Sequence, residues 1–268
     1  MRRISVGEAQ FNVYERGAGP AVVFLHGFPL SHSMWMRQLD ELGATNRLVA
    51  PDLRGFGRST VTDGKVTMAQ MADDVAGILD CMNIRQSVCL CGLSMGGYVA
   101  FEFWRRHRDR VRSMILCDTR SLPDTPEAAA GRHQTADRVL ADGAGVVAEA
   151  MLPKLLGPRT RAEQPLVAEA VREMILATDP HGIAAALRGM AERADSTDLL
   201  SKITVRTLVL VGQEDAISPP DEMRKLAGGI PQAQFTVIPG AGHMSPLENS
   251  SAVNGAIAAF LANELHAR

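Results

Sequence analysis

The chain has 268 residues, with 28 Lys and Arg against 30 Asp and Glu, and 46% of it is hydrophobic. At about 150 residues per domain this length fits one to two domains, and it can bury a full core without disulfide or metal staples. The ordinary composition excludes a disordered chain, a collagen-like repeat and a small disulfide scaffold, while a formal charge of −2 removes the electrostatic reason to expect nucleic acid or an anionic membrane as partner.

The first residues, Met1-Arg2-Arg3, are not followed by an apolar stretch and do not read as a secretory signal. No run of about 18 apolar residues follows anywhere, so no membrane span is expected. Residues 4–6 and 10–14 pattern as an antiparallel edge pair. Residues 21–25 form an apolar run closed by His26-Gly27, and residues 47–50 form a second, stopped by Pro51. Residues 67–82 carry Met68, Met71, Ala72, Val75, Ile78 and Leu79 at helical spacing, with Thr67 as N-cap. A third apolar run, 87–91, leads into a helical pattern over 95–108. A fourth covers 113–117 and a fifth 207–211, followed by a helix over 219–227. The sixth, 234–238, stops at Pro239-Gly240 and precedes a helix over 252–265. Val, Ile and Leu dominate these runs, as expected of strands covered on both faces. Strand followed by helix, repeated, implies right-handed crossovers and a mostly parallel sheet with helices on both faces.

One region breaks the rhythm. Residues 119–200 contain helical patterns, such as 167–177 and 183–193, six prolines and no Phe, Trp or Tyr. They read as a helical insertion, dividing the chain into a core of residues 1–118 and 201–268 and an inserted unit of residues 119–200. The four cysteines, Cys81, Cys89, Cys91 and Cys117, lack metal-site spacing and read as reduced, mostly buried thiols. That points to a cytoplasmic protein without a metal or other cofactor.

The third strand runs into Gly92-Leu93-Ser94-Met95-Gly96, the G-x-S-x-G pattern of a nucleophile elbow. A sharp strand-to-helix turn holds Ser94 in strained geometry with its Oγ exposed, and the flanking glycines leave room for backbones that crowd the turn. A serine nucleophile needs a base, and the base needs an orienting acid. After the fifth strand comes Gly212-Gln213-Glu214-Asp215, and after the sixth comes Gly242-His243. Both lie at the carboxyl ends of strands, where open α/β sheets bind ligands. Asp215 is the first candidate for the acid, with Asp118 and Glu214 as alternatives. Among seven histidines, His107, His133, His181 and His266 fall in helical or capping segments and read as solvated surface groups. An oxyanion hole needs two N–H donors. Met95 supplies one, directly after the nucleophile. Phe28 supplies the other from the loop after the first buried strand, since Pro29 has no N–H to give. His26 then braces that loop by hydrogen bonds.

These motifs resemble the α/β-hydrolase superfamily, in its single-chain esterase, lactonase and perhydrolase-like branch. The resemblance rests on His26-Gly27-Phe28-Pro29, Asp52-Leu53-Arg54-Gly55-Phe56-Gly57-Arg58-Ser59, Gly92 to Gly97, Gly212 to Asp215 and Gly242-His243. It implies the α/β-hydrolase fold, the order Ser94, Asp215, His243, and a structural loop around Arg54 and Arg58. It also implies that the insertion is a cap that roofs the active site and sets substrate choice. The expected activity is hydrolysis of small carboxylic esters through an acyl-enzyme, with short or medium aliphatic acyl groups and no cofactor. Lactonase, perhydrolase and a non-catalytic ligand-binding protein are the alternatives. Phe28, Met151, Met174 and Met190 are the candidates for substrate contact, and the partner is a small ester or lactone rather than nucleic acid or membrane. Nothing in the sequence indicates an oligomeric state.

Overall fold

The computed structural model describes residues 1–265, so the expectation for His266 lies outside the described residues. Eight strands form a single sheet: β1 (Arg2–Val6), β2 (Ala9–Arg16), β3 (Ala21–Leu25), β4 (Arg47–Pro51), β5 (Val88–Leu93), β6 (Val111–Cys117), β7 (Arg206–Gly212) and β8 (Ala233–Ile238). Their order is β1-β2-β4-β3-β5-β6-β7-β8. The β1–β2 hairpin and the β2–β4 pair are antiparallel, and every later pairing is parallel. This is the mostly parallel sheet with helices between its strands that the strand–helix alternation implies.

The interior strands are uniformly apolar because both faces are covered: β3 and β5 are buried at every position. Edge strand β8 departs from this expectation, since most of its side chains are only half-buried. Helices α1 (Met36–Leu42), α2 (Met68–Cys81) and α3 (Met95–His107) join the strands of the first half. The sequence reading missed α1, whose seven residues are too few to display a helical period. Thr67 caps α2 by accepting the Gln70 N–H at 3.1 Å.

Between β6 and β7 lie α4 (Pro126–Asp142), α5 (Gly145–Leu155), α6 (Pro158–Glu163), α7 (Pro165–Leu176), α8 (Pro180–Ala191) and α9 (Thr197–Leu200). Four of the six prolines that interrupt the pattern here start helices, while Pro153 lies inside α5 and Pro123 precedes α4. Pro126, Pro158, Pro165 and Pro180 each occupy a first helical position, where the missing N–H costs nothing and φ is already set. Three helices complete the chain: α10 (Pro220–Gly228), α11 (Ser245–Glu248) and α12 (Ser250–Leu265). Among the described residues no helix is long and apolar enough to cross a membrane, and none of the four cysteines is joined in a disulfide.

Candidate active site

Ser94 sits between β5 and α3 with φ 53° and ψ −113°, a conformation that costs a residue with a Cβ about 1–3 kcal/mol. The surrounding bonds enforce it. The Ser94 N–H donates to Cys117 O at 3.0 Å, and Ser94 O accepts the Thr119 hydroxyl at 2.8 Å. The crowding at the elbow is direct. A Cβ on Gly96 would lie 2.2 Å from Leu25 O, and one on Gly92 would lie 2.4 Å from Gly96 O. The turn is therefore closed to any larger residue at either glycine.

Asp215, which follows β7 two strands away, and His243, which follows β8 three strands away, meet each other. His243 Nδ1 lies 2.8 Å from Asp215 Oδ2, with side-chain exposures of 2% and 0%. The other carboxylate oxygen accepts the N–H groups of Ile217 at 2.7 Å and Ser218 at 2.9 Å. Three donors thus fix the carboxylate. Because an ionised carboxylate only accepts, Nδ1 carries the proton and the lone pair stays on Nε2. The two alternative acids face elsewhere. Asp118, itself at φ 47°, accepts the Gly212 N–H at 2.7 Å and meets Ser245 Oγ at 2.5 Å. Burial, reinforced by the charge of Asp215, pushes its carboxyl well above the usual carboxylate range. Glu214 turns toward the inserted helices: a Cβ on Gly157 would lie 2.6 Å from its Oε2.

Asp118 ties these strand ends together. It follows Cys117, which holds the Ser94 amide, and it grips both Gly212 before Asp215 and Ser245 after His243. All three candidate residues therefore occupy the carboxyl edge of one sheet. Among the described residues Ser94 Oγ makes no hydrogen bond to His243.

The loop after β3 runs along the same edge. A Cβ on Gly27 would lie 3.6 Å from the Ser94 Cβ. Among the described residues the backbone N–H groups of Phe28 and Met95 find no acceptor. The Phe28 ring is buried edge-on to Phe56. His26 Nε2 accepts the Leu53 N–H at 3.0 Å and Nδ1 lies 3.0 Å from Gly27 O, so it bridges this loop to the Asp52–Ser59 segment. Full burial lowers its pKa to about 4 and keeps the ring neutral. Arg54 is held by both oxygens of Asp74, and the Arg58 N–H donates to Asp52. His133 and His181 are exposed, and His107 is half-buried against Asp73.

Of the methionines singled out in the insertion, Met174 lines an open cleft of about 430 Å³ together with Ser31, Ser33, Thr178 and Leu247. The Thr178 hydroxyl donates to Pro29 O at 2.8 Å, beside Phe28. Met151 is half-buried on α5. Met190 is buried, with its Sδ 3.7 Å from Arg132 Nη1 of α4. Sequence reasoning missed Glu248, a buried carboxylate at the end of α11. Nothing in its local pattern distinguishes it from a surface glutamate.

The sequence model of the alpha/beta hydrolase fold family matches residues 20–250. A thermophilic esterase structure from Thermogutta terrifontis, with malate bound, is 47% identical at a TM-score of 0.97, covering 98% of this chain and 99% of that one. The enol-lactonase structure from Burkholderia xenovorans LB400 is 28% identical at a TM-score of 0.90, covering 97% and 100%. An AB hydrolase superfamily protein of Bacillus subtilis, YisY, is 30% identical over 92% of this chain and 94% of its own length. The chain belongs to the alpha/beta hydrolase fold family.

Proposed function

We propose that this protein is a serine hydrolase that cleaves small carboxylic esters through an acyl-enzyme, favouring short or medium aliphatic acyl groups. The observation that carries the reading is the buried His243–Asp215 pair at the same sheet edge as the strained Ser94. Ser94 is the nucleophile, His243 the general base and acid, and Asp215 the residue that fixes the tautomer. As Ser94 Oγ attacks the acyl carbon, His243 Nε2 takes its proton and the carbonyl π pair moves onto oxygen. The N–H groups of Phe28 and Met95 receive that oxyanion. Collapse of the intermediate breaks the C–O bond, and His243 returns the proton to the departing alkoxide. Water then adds in the same way and releases the acid.

The helices of residues 119–200 act as a cap over the core formed by residues 1–118 and 201–268. Two contacts beside the site support that role, Thr178 to Pro29 and Gly157 to Glu248. With no aromatic side chain in the cap, Met174, Met151 and Met190 are its candidate acyl contacts, beside Phe28 of the core. The esterase neighbour supports ester substrates. The enol-lactonase neighbour favours a second reading, a lactonase using the same residues. A cytoplasmic location fits four cysteines outside any disulfide.

The test is a panel of p-nitrophenyl acetate, butyrate, octanoate and benzoate beside a matched lactone. We expect burst kinetics, the highest kcat/KM on the aliphatic esters, and loss of nearly all turnover in Ser94→Ala with the fold intact. Turnover retained in Ser94→Ala rejects the nucleophile assignment, and a strong preference for the lactone moves the assignment to the second reading.

A further inference from the structure

Glu248 has no part in the chemistry above, yet it is 5% exposed and sits five residues past His243. Its Oε1 accepts the N–H of Gly242 at 2.9 Å and of Met244 at 3.0 Å, the two residues that flank His243. Its Oε2 accepts the N–H of Gly157 at 2.8 Å, from the junction between α5 and α6 of the inserted helices. Two more bonds join the same surfaces. The Met244 N–H also reaches Leu155 O at 3.1 Å, and Gln164 Nε2 donates to Glu248 O at 3.3 Å. The two backbones touch with no side chain between them. A Cβ on Gly242 would lie 2.4 Å from Gly157 N, and one on Gly157 would lie 3.0 Å from Gly242 N.

A buried carboxylate is tolerated only while its lone pairs are occupied. Here the three donors come from two parts of the fold, the His243 loop and the inserted helices. If the α5–α6 junction lifts, Oε2 loses its donor and the carboxylate must reorient, disturbing the bonds on both sides of His243. We propose that Glu248 is a positioning residue for His243 whose grip is completed by Gly157. The base is then set for proton transfer only when the cap is seated. This inference rests on the serine-hydrolase reading, because it assigns His243 the role of base.

The experiment compares wild type, Glu248→Gln, Gly157→Ala and the double variant. Glutamine keeps the size and one acceptor oxygen but presents an amide donor to either Gly157 or the His243 loop. Alanine at Gly157 keeps the Glu248 side chain but presses its Cβ on Glu214 Oε2 at 2.6 Å, Gly242 N at 3.0 Å and Glu248 Oε2 at 3.3 Å, so the junction must shift away from the His243 loop. The readouts are kcat and KM on p-nitrophenyl butyrate, thermal unfolding, and the downfield proton resonance of His243 Nδ1–H, assigned by its absence in Asp215→Asn. We expect each single variant to lower kcat about 10- to 100-fold, the scale of a small misplacement of a reacting group, with KM nearly unchanged and the resonance shifted or broadened. The double variant should be no slower than the slower single, because both changes break one linkage.

Unchanged kcat and resonance in folded Glu248→Gln overturn the proposal. So do additive losses in the double variant, or a loss that merely tracks Tm and recovers on cooling. If Glu248→Gln does not fold, Gly157→Ala alone decides by the same kcat and resonance criteria. If wild-type activity survives Ser94→Ala, the hydrolase reading fails instead, and the resonance still reports whether Glu248 holds the His243 ring.

Discussion

The carboxylate of Asp215 faces His243 Nδ1 at 2.8 Å inside the protein, where both side chains are shielded from water. A hydrogen bond to a buried carboxylate leaves the imidazole one orientation and one tautomer. Asp215→Asn keeps the shape but can present its amide donor to Nδ1, which would then have to accept and move the proton to Nε2. We expect kcat to fall roughly 10⁴-fold with little change in Tm. Steady-state kinetics beside calorimetry measure both, and a loss under tenfold removes Asp215 from the acid role.

Asp118 stands behind this pair and behaves oppositely. Its folded carboxyl is held well above the ordinary range, first by burial and then by Asp215, so above the unfolded value the folded state holds a proton that the unfolded chain has released. Stability from this residue therefore falls as pH rises above the unfolded value near 3.8. Asp118→Asn keeps an acceptor for the Gly212 N–H and turns an amide N–H toward Ser245 Oγ, which would then accept rather than donate, without needing the proton. Its Tm at pH 8 should equal or exceed that of wild type, and Asp118→Ala should be less stable than either. A marked destabilisation in Asp118→Asn would mean that the charged form is the one the fold requires.

The oxyanion donors proposed at Phe28 and Met95 are backbone groups, so their side chains should matter through packing alone. Phe28→Leu removes an edge-to-face contact with Phe56 but leaves the N–H. It should cost about 1–2 kcal/mol of stability and leave kcat within about tenfold. A loss of 10²-fold or more, the scale of one missing donor, would show that the ring itself holds the loop in its working shape.

His26 predicts a pH dependence of stability that is separate from catalysis. Its pKa falls from 6.5 in the unfolded chain to about 4 in the fold. Below pH 6.5 the unfolded chain takes up a proton that the folded state refuses. Stability should decline from pH 6.5 to 4 and then level, by roughly 3 kcal/mol in all. Asp52 acts lower. Burial raises its pKa, but the hydrogen bond and charge of His32, with help from Asn12, outweigh that and hold it at about 2. Its contribution is complete above 3.8 and lost from there down to about 2. Urea midpoints taken each half unit from pH 7 to 3 should show the first decline in wild type and its absence in His26→Gln.

The sequence by itself determined the strand–helix rhythm, the elbow at Ser94, the positions of Asp215 and His243 at strand ends, and the helical nature of residues 119–200. These are local facts. Apolar runs of five or six residues, a glycine where a backbone must pass, and a histidine between glycines leave their mark within a few positions. Only the tertiary structure decided which carboxylate faces His243. Asp118, Glu214 and Asp215 all follow strands, and their directions depend on how β6, β7 and β8 lie side by side. The same holds for Glu248, whose partner Gly157 lies 91 residues away. It holds for Thr178, which reaches Pro29 across 149 residues. Bonds of that sequence separation cannot be seen in a local pattern, because what makes them necessary is burial, and burial is a property of the assembled fold.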